Sequence, residues 1–440
     1  MSSPVRGHLW RNWSGLEEAV PRHVATPASV EEVVAAVRRA RADGRTVKMT
    51  GTGHSFTAIG APEHTLLRPD GLTGVLAVDR EAMTVTARAG TPLKDLNLAL
   101  ERLGLSLHNM GDIAEQTLAG ATSTGTHGTG GTAAGLAAQL AGLEIVTGTG
   151  EVLRASAAEN ADVFDLARVG LGALGILTSL TFHVEPLFVL EAHEEPMTWD
   201  RGLASFDEMV AEAHHVDLYW FPHTDRMVAK QNVRTDLDPG EQRPPSRAAA
   251  WWEDELVSNT LFGGLCRLGE RAPALVPGIN RVAARALSER RYSDLAHRVL
   301  VSPRRVRFRE MEYAVPREVG LDVLRECRRV IDASDWRIAF PVEVRTARAD
   351  DVPLSTAHGR DTLYLAFHVP AGTDHRAYFG GVEPVLRAAG GRPHWGKIHT
   401  RTAADLTPAY DRFGDFLALR DRLDPDRVFA NDHLRRVLGD

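Results

Sequence analysis

Two glycine-rich loops constrain this chain more than any other feature. The first, GTGHSF (51–56), places His54 directly after a short strand-like run, RTVKMT (45–50). The second, STGTHGTGG (123–131), sets Ser123, Thr124, Thr126, His127 and Thr129 among Gly125, Gly128, Gly130 and Gly131. Glycine admits backbone angles and close approaches closed to other residues. Successive backbone N–H groups in such loops can also hold phosphate oxygens. A fold that carries both loops in one region brings bare backbone against a bulky, anionic ligand. Each loop alone reads equally well as a flexible turn.

The first 186 residues mix short helices with strands and hairpins. Ser29 and Glu32 have capping-box spacing, and Val30, Val33, Val34 and Val37 form one helical face ahead of Gly44. VLAVD (75–79) and MTVTARAG (83–90) read as paired strands, and Thr91–Pro92 opens a helix that Gly104 closes. GLEIVTGTGEVLRAS (142–156) is a further hairpin. GLGALG (170–175) spells the dinucleotide fingerprint, but the helical stretch ADVFDLARV precedes it and the strand-like ILTSLTFHV follows. That order reverses the strand–loop–helix context the fingerprint requires, so a Rossmann site is rejected and a tight helix-to-strand turn remains. The pattern is α+β.

After Pro186 the texture changes. VRFREMEYAV (306–315), RIAFPVEVRT (337–346) and TLYLAFHV (362–369) read as strands, REVGLDVLRECRRVI as a helix and RTDLDPGEQRPPSR (234–247) as a surface loop. A chain of 440 residues exceeds what one core usually serves. The expected organisation is a first domain over 1–186, a substrate or cap domain over 187–390 and a final segment, 391–440, that returns to the first. A net charge of -7 argues against nucleic acid as the main partner, and Arg304, Arg305, Arg307 and Arg309 are assigned to a solvated face or an interdomain contact. Trp251 and Trp252 are assigned to packing or an interface. No apolar run is long enough to cross a membrane, and MSSPVRGHLWRNWSG lacks a cleavable apolar leader, so a cytoplasmic protein is expected, with peripheral membrane association left open. Cys266 and Cys327 are read as two buried free thiols, with a long-range disulfide as the alternative; no metal motif is present.

HWGK (394–397) sets His394, an aromatic and Lys397 around one glycine. It is either a loop that packs its tryptophan and exposes its lysine, or a place where a cation is fixed. PVEVRT puts Glu343 and Arg345 two residues apart, on one face of a strand. That is either a surface ion pair of small worth or a polar floor for a hydroxylated ligand. His368, on TLYLAFHV, either belongs to the core or joins the same floor.

GTGHSF, MGDIAEQTLAGATSTGTHGTGG, GALGILTSLTF and HWGK, in that order, resemble the vanillyl-alcohol-oxidase flavoproteins with their PCMH-type FAD-binding domain. Within them the chain is similar to the aldonolactone oxidoreductases, and FREMEYAVPRE, PVEVRTARADD, LSTAHGRDTLY and RDRLDPDRVFAND have the look of the bacterial gulonolactone dehydrogenase branch. The resemblance implies a two-domain α+β fold and FAD attached covalently through His54. It implies that Gly51, Thr52, Gly53 and Ser55 wrap the pyrophosphate, and that Thr117, Ala121, Ser123, Gly125, His127 and Gly128 line the flavin and its phosphates. Gly175 and Ile176 would contact the adenosine side. Lys397 would sit at the substrate, either as a lysine of lowered pKa that accepts a hydroxyl proton or as a cation that stabilises reduced flavin. Glu343 and Arg345 would orient the substrate, with His368 and His394 as further contacts.

The implied reaction is oxidation of a sugar-derived hydroxyl, most simply on an aldono-1,4-lactone of the L-gulono or D-arabinono type, by hydride transfer to FAD. An alditol or polyol oxidase is the alternative on the same fold, although alditol oxidases carry a serine where Ala121 aligns. A catalytically silent carbohydrate-binding protein is the alternative from another class. Oxygen and cytochrome c or a quinone are the alternative electron acceptors, and a small residue within Leu118–Ala121 is where oxygen access would be set.

Overall fold

The computed structural model describes residues 9–246, 262–302 and 305–440; Trp251, Trp252 and Arg304 fall outside them. The N-terminal part is built on two small sheets. Val47–Met49, Thr65–Leu67 and His23–Ala25 pair in parallel. The helix Val30–Ala42 covers them with Val33 and Val37. Its start is set by side chains: Ser29 Oγ accepts the Glu32 N–H, while Glu32 reaches back to accept the Ala28 N–H at 2.8 Å. The second sheet is antiparallel throughout, in the order Val152–Ser156, Leu140–Val146, Ile176–His183, Thr84–Arg88, Val75–Asp79. The helix Leu93–Leu103 buries Leu93, Leu96 and Leu100, and Gly104 ends it at φ 70°, an angle that favours glycine.

The C-terminal part is an eight-stranded antiparallel sheet. Its order is Arg290–Leu295, Val189–Thr198, Arg226–Arg234, His215–Trp220, Val342–Ala347, Thr362–Pro370, Phe308–Pro316, Arg392–Pro393. Strand alternation sorts its side chains. Leu363, Leu365 and Phe367 face the helices Arg317–Asp332 and Arg376–Ala388, where Val323, Leu324, Phe379 and Val382 close a core. Tyr364, Ala366 and His368 point the other way. Every residue of Thr362–Pro370 is nonetheless buried, because the N-terminal part covers that second face.

The expected strand 337–346 is shorter than its sequence suggests and starts at Val342. Side chains take the backbone groups of Ile338 instead: its N–H donates to His223 Nε2 at 3.1 Å, and its carbonyl accepts from Asn280 Nδ2 at 2.8 Å. Pro341, which has no N–H, follows three residues later. Arg305 and Arg307 are exposed, whereas Arg309 is half-buried and donates to Thr373 O at 3.1 Å. Cys266 and Cys327 are free and lie in different clusters; burial pushes the Cys266 thiol up to about 12. No helix among the described residues is long and apolar enough to cross a membrane.

The last segment turns back. Leu406, Tyr410, Phe413, Phe416, Leu434 and Val437 join the same core as Leu93, Leu96 and Leu180 of the N-terminal part.

Candidate active site

A cleft with about 1010 Å³ of empty space runs along the N-terminal part. Of the residues expected around a cofactor, Gly51, Thr52, Gly53, His54, Ser55, Thr117, Ser123, Gly175 and Ile176 line it. A side chain at 51 is not possible without movement, since its Cβ would stand 2.4 Å from Thr117 Oγ1, and Gly53 has φ 70°. The loop therefore presents backbone to the cleft. His54 stacks on Trp13 at 5.5 Å, and its Nδ1 is buried without a hydrogen-bond partner. Burial lowers its pKa, with Glu115 pulling up and Lys397 pushing down, so the ring is neutral and keeps a nitrogen lone pair.

Ala121, Gly125, His127 and Gly128 are not among the lining residues, and the reasons are local. Leu118–Ser123 is helical, so Ala119, Gly120 and Ser123 turn towards the cleft while Leu118, Ala121 and Thr122 turn into the core. Beyond the helix the second glycine loop becomes a seam. Gly130 N–H donates to Thr346 O at 2.8 Å, Arg348 N–H to Ala133 O at 3.0 Å, and Thr129 Oγ1 accepts from Thr346 N at 3.1 Å. Its glycines let the N-terminal part lie flat on the eight-stranded sheet, and His127 stacks on Tyr364 at 3.6 Å. Lys48, Gln116, Gly172 and Phe429 also line the cleft; Gln116, Gly172 and Phe429 lie inside motifs read from the sequence, and Lys48 lies in the strand ahead of the first loop, but nothing in their residue types marks them as cleft residues.

Lys48 is buried and donates to Gly172 O at 3.0 Å and Phe429 O at 3.1 Å. Burial pushes its pKa down to about 7 against the pull of Asp424 and Glu63. From pH 7 to its ordinary 10.5 the folded chain therefore binds fewer protons here than the unfolded one. This contribution to stability rises with pH across that window and is lost as the pH falls through 7. Over the same range the urea midpoint of the wild type should climb relative to that of Lys48→Met; parallel profiles would reject the assignment.

HWGK meets GTGHSF directly. Phe56 N–H donates to Gly396 O at 2.6 Å, and Lys397 Nζ lies 5.0 Å from the centre of the Phe56 ring. Trp395 is fully buried, stacked on Tyr410, and donates to Leu354 O at 2.7 Å. Lys397 is not exposed either. It hydrogen-bonds Glu310 and stands 4.0 Å from Glu312 Oε2, two carboxylates on one face of Phe308–Pro316. The expectation of a lowered pKa is overturned: burial alone would lower it, but Glu310 and Glu312 together raise it. Lys397 is an ammonium ion. Glu312, despite its burial, is drawn down to about 2 by His127 and Lys397.

Glu343 and Arg345 do share a face, and the pair is buried rather than superficial. Arg345 Nη2 meets Glu343 Oε1 at 2.6 Å and Nε donates to Asp217 Oδ1 at 2.8 Å, with Asp112 at 3.7 Å. Burial opposes its charge, but these carboxylates raise the arginine well above its ordinary value. A polar recess of about 350 Å³ opens beside it, lined among others by Asp112, Asp217, Tyr219, Lys230 and Asn232. His368 Nε2 stands 3.5 Å from Glu310 Oε1.

His394, expected as a substrate contact, is enclosed with His127 and Glu312, their ligating atoms within 4.8 Å of one another. Burial holds it neutral, pushing its pKa to about 3, and its Nδ1 accepts the Gly396 N–H at 3.1 Å. The ring hydrogen is thus on Nε2, which leaves two lone-pair donors where a metal would want at least three.

Residues 180–437 match the D-arabinono-1,4-lactone oxidase family, and residues 21–156 match the FAD binding domain. The chain belongs to the D-arabinono-1,4-lactone oxidase family. Family relatives align end to end. L-gulono-1,4-lactone dehydrogenase of Mycobacterium tuberculosis is 39% identical over 434 residues, 98% of this chain and 99% of that one. L-gulonolactone oxidase of Bos taurus is 33% identical over 439 residues, 98% of each. Among solved structures, a solvent-stable cholesterol oxidase superposes with a TM-score of 0.82 at 18% identity, over 98% of this chain and 99% of that one, and shares the fold. FAD is accordingly the cofactor of this family member. The cleft suits it on physical grounds: a long hollow floored by side-chain-free backbone, with an unpartnered imidazole nitrogen at one wall.

Proposed function

We propose that this chain oxidises a ring or chain hydroxyl of an aldono-1,4-lactone, of the L-gulono or D-arabinono type, and that its FAD is bonded through His54. The observation that supports the reading is the meeting of the two distant loops at Phe56 and Gly396, which brings the Lys397 cation against the Phe56 ring, two residues from His54. When bound, FAD supplies a two-electron acceptor for the hydride of the substrate carbon. Each protein group then has a plain task. Gly51, Thr52, Gly53 and Ser55 offer backbone to the pyrophosphate, Thr117 and Ser123 line the flavin side, and Gly175 and Ile176 the adenosine side. Arg345, charged at every physiological pH, donates to substrate oxygens, and Glu343 accepts from substrate hydroxyls. Lys397 holds positive charge where negative charge grows during hydride loss. We further propose domain limits of 1–186 and 187–390, with 391–440 closing on the first domain; packing of Phe413 and Leu434 with Leu93 supports that return.

The test is anaerobic bleaching of the purified yellow protein by L-gulono-1,4-lactone, D-arabinono-1,4-lactone and sugar alcohols. Lactones should bleach it fastest. Faster bleaching by sugar alcohols would replace the lactone reading with a polyol oxidase, and colourless protein that binds no FAD would remove the enzymatic reading. Reoxidation by oxygen or by cytochrome c then assigns the electron acceptor.

A further inference from the structure

The face of the eight-stranded sheet that carries Glu343 and Arg345 does not end with them. Val342–Ala347 pairs with His215–Trp220, and that strand pairs with Arg226–Arg234, where Asp217 stands opposite Lys230 and His215 opposite Asn232. Tyr219 stands opposite Glu343, so alternation puts His215, Asp217, Lys230, Asn232 and Arg345 on one face. Polar residues thus continue for two strands beyond Arg345, roughly 10 Å at the usual strand spacing. The N-terminal part roofs them with its second glycine loop. A side chain at Gly128 would stand 2.1 Å from Asn109 Oδ1, so the loop lies flat, and between roof and floor is the recess of about 350 Å³.

Its chemistry suits hydroxyl groups. Asn232 is 1% exposed, and its side-chain oxygen is buried without a hydrogen-bond partner. An acceptor left in that state is destabilising until something donates to it. Lys230 donates one N–H to Val299 O at 3.1 Å, and an ammonium has three. Asp217 accepts from Arg345 Nε at 2.8 Å and has further lone pairs. Charges along the walls balance, Asp112 and Asp217 against Lys230 and Arg345. Burial holds His215 neutral, and its Nε2 hydrogen-bonds Asn109 Oδ1 at 2.7 Å. A carboxylate or a phosphate finds no net positive charge here. A hydroxyl, which donates and accepts at once, finds both kinds of partner. The recess also borders the proposed reaction, because Asp112, one of its walls, stands 3.7 Å from Arg345 and acts electrostatically on Lys397 as well.

We propose that this recess is a subsite for the exocyclic hydroxyl chain of the lactone, with Asn232 accepting from a chain hydroxyl and Lys230 donating to one. The inference rests on the proposed reaction, in which Arg345 holds the substrate, and adds a rule of choice to it. A hexono-lactone, with two hydroxyls outside its ring, engages both residues. A pentono-lactone has one such hydroxyl and engages them in part. A lactone without the chain leaves Asn232 unpartnered.

The experiment uses three lactones of the same configuration at C2 and C3 that differ in the chain. L-gulono-1,4-lactone has two exocyclic hydroxyls, D-lyxono-1,4-lactone one and L-erythrono-1,4-lactone none. Anaerobic bleaching of the holoenzyme gives, for each, the limiting rate divided by the dissociation constant. Wild type should favour them in that order. Asn232→Leu should lower the preference for L-gulono- over L-erythrono-1,4-lactone roughly 10-fold, the effect of one neutral hydrogen bond, and Lys230→Met up to about 100-fold, as for a charged donor. A merely structural fault would slow all three lactones alike and keep their ratios. Wild-type ratios in both variants, or a wild type that bleaches equally well with and without the chain, overturn the subsite and leave the recess to water. If Asn232→Leu does not fold, Lys230→Met carries the same ratio test. Failure of the proposed reaction looks different: wild-type protein that no lactone bleaches strikes that reading and removes the subsite with it.

Discussion

Lys397→Met protein should keep its FAD and lose reduction by lactone about 100- to 1000-fold, the range seen when one preorganised stabiliser of developing charge is removed. Methionine fills the space against Phe56 and carries no charge, so the change isolates the cation. Two consequences follow, and they separate in measurement. Stopped-flow bleaching reads the chemical step. Thermal unfolding reads the second effect, because Glu310 and Glu312 lose a buried counterion; breaking a buried pair from one side typically costs about 3–5 kcal/mol. Protein with full FAD content, a lowered melting point and an unchanged bleaching rate would show that Lys397 is structural and end its assignment to the reaction.

His54→Ala should give a colourless pellet after acid precipitation, with the yellow FAD left in the supernatant, where wild type should give a yellow pellet. Bond formation at an imidazole needs an unprotonated nitrogen with no other partner. Burial keeps His54 neutral, and its Nδ1 has no hydrogen bond to give up. The same variant should still bind FAD reversibly, since Gly51, Thr52, Gly53, Thr117 and Gly175 remain to line the cleft. A yellow pellet from His54→Ala, or a colourless one from wild type, would rule out attachment at this residue.

Local chemistry was legible in the sequence wherever one segment decides its own structure. Ser29 and Glu32 do cap a helix, Gly104 does end one, and Glu343 and Arg345 do share a strand face. Phase and distance were harder. Ala121 and Ser123 sit two residues apart in the same glycine-rich run, but a helical turn sends one to the core and the other to the cleft. Glu310 and Glu312 carry the same i, i+2 signal as Glu343 and Arg345, but its meaning depends on a partner, Lys397, that lies 87 residues beyond Glu310 in sequence. Without that partner, the lysine looked like a group whose burial would strip its proton. The carboxylates reverse the sign. His127 and Gly128 illustrate the opposite case, a glycine-rich loop whose form suggests a phosphate cradle and whose neighbours make it a seam between two sheets.

Asn431 donates to the carbonyls of Ala58, Ile59 and Ala61 at 3.0, 3.1 and 3.0 Å, and Val47 N–H donates to Val428 O at 2.9 Å. Phe429, between them, is a wall of the FAD cleft. The order of synthesis therefore matters. When a nascent chain has emerged through the first glycine loop, both the wall and the clasp of its cofactor cleft are still some 370 residues from being made. The residues of the eight-stranded sheet lie in sequence between the two parts of the cleft lining, so they are made before the cleft is complete. A chain that stops short of Phe429 lacks a wall of its cofactor cleft as well as the missing piece.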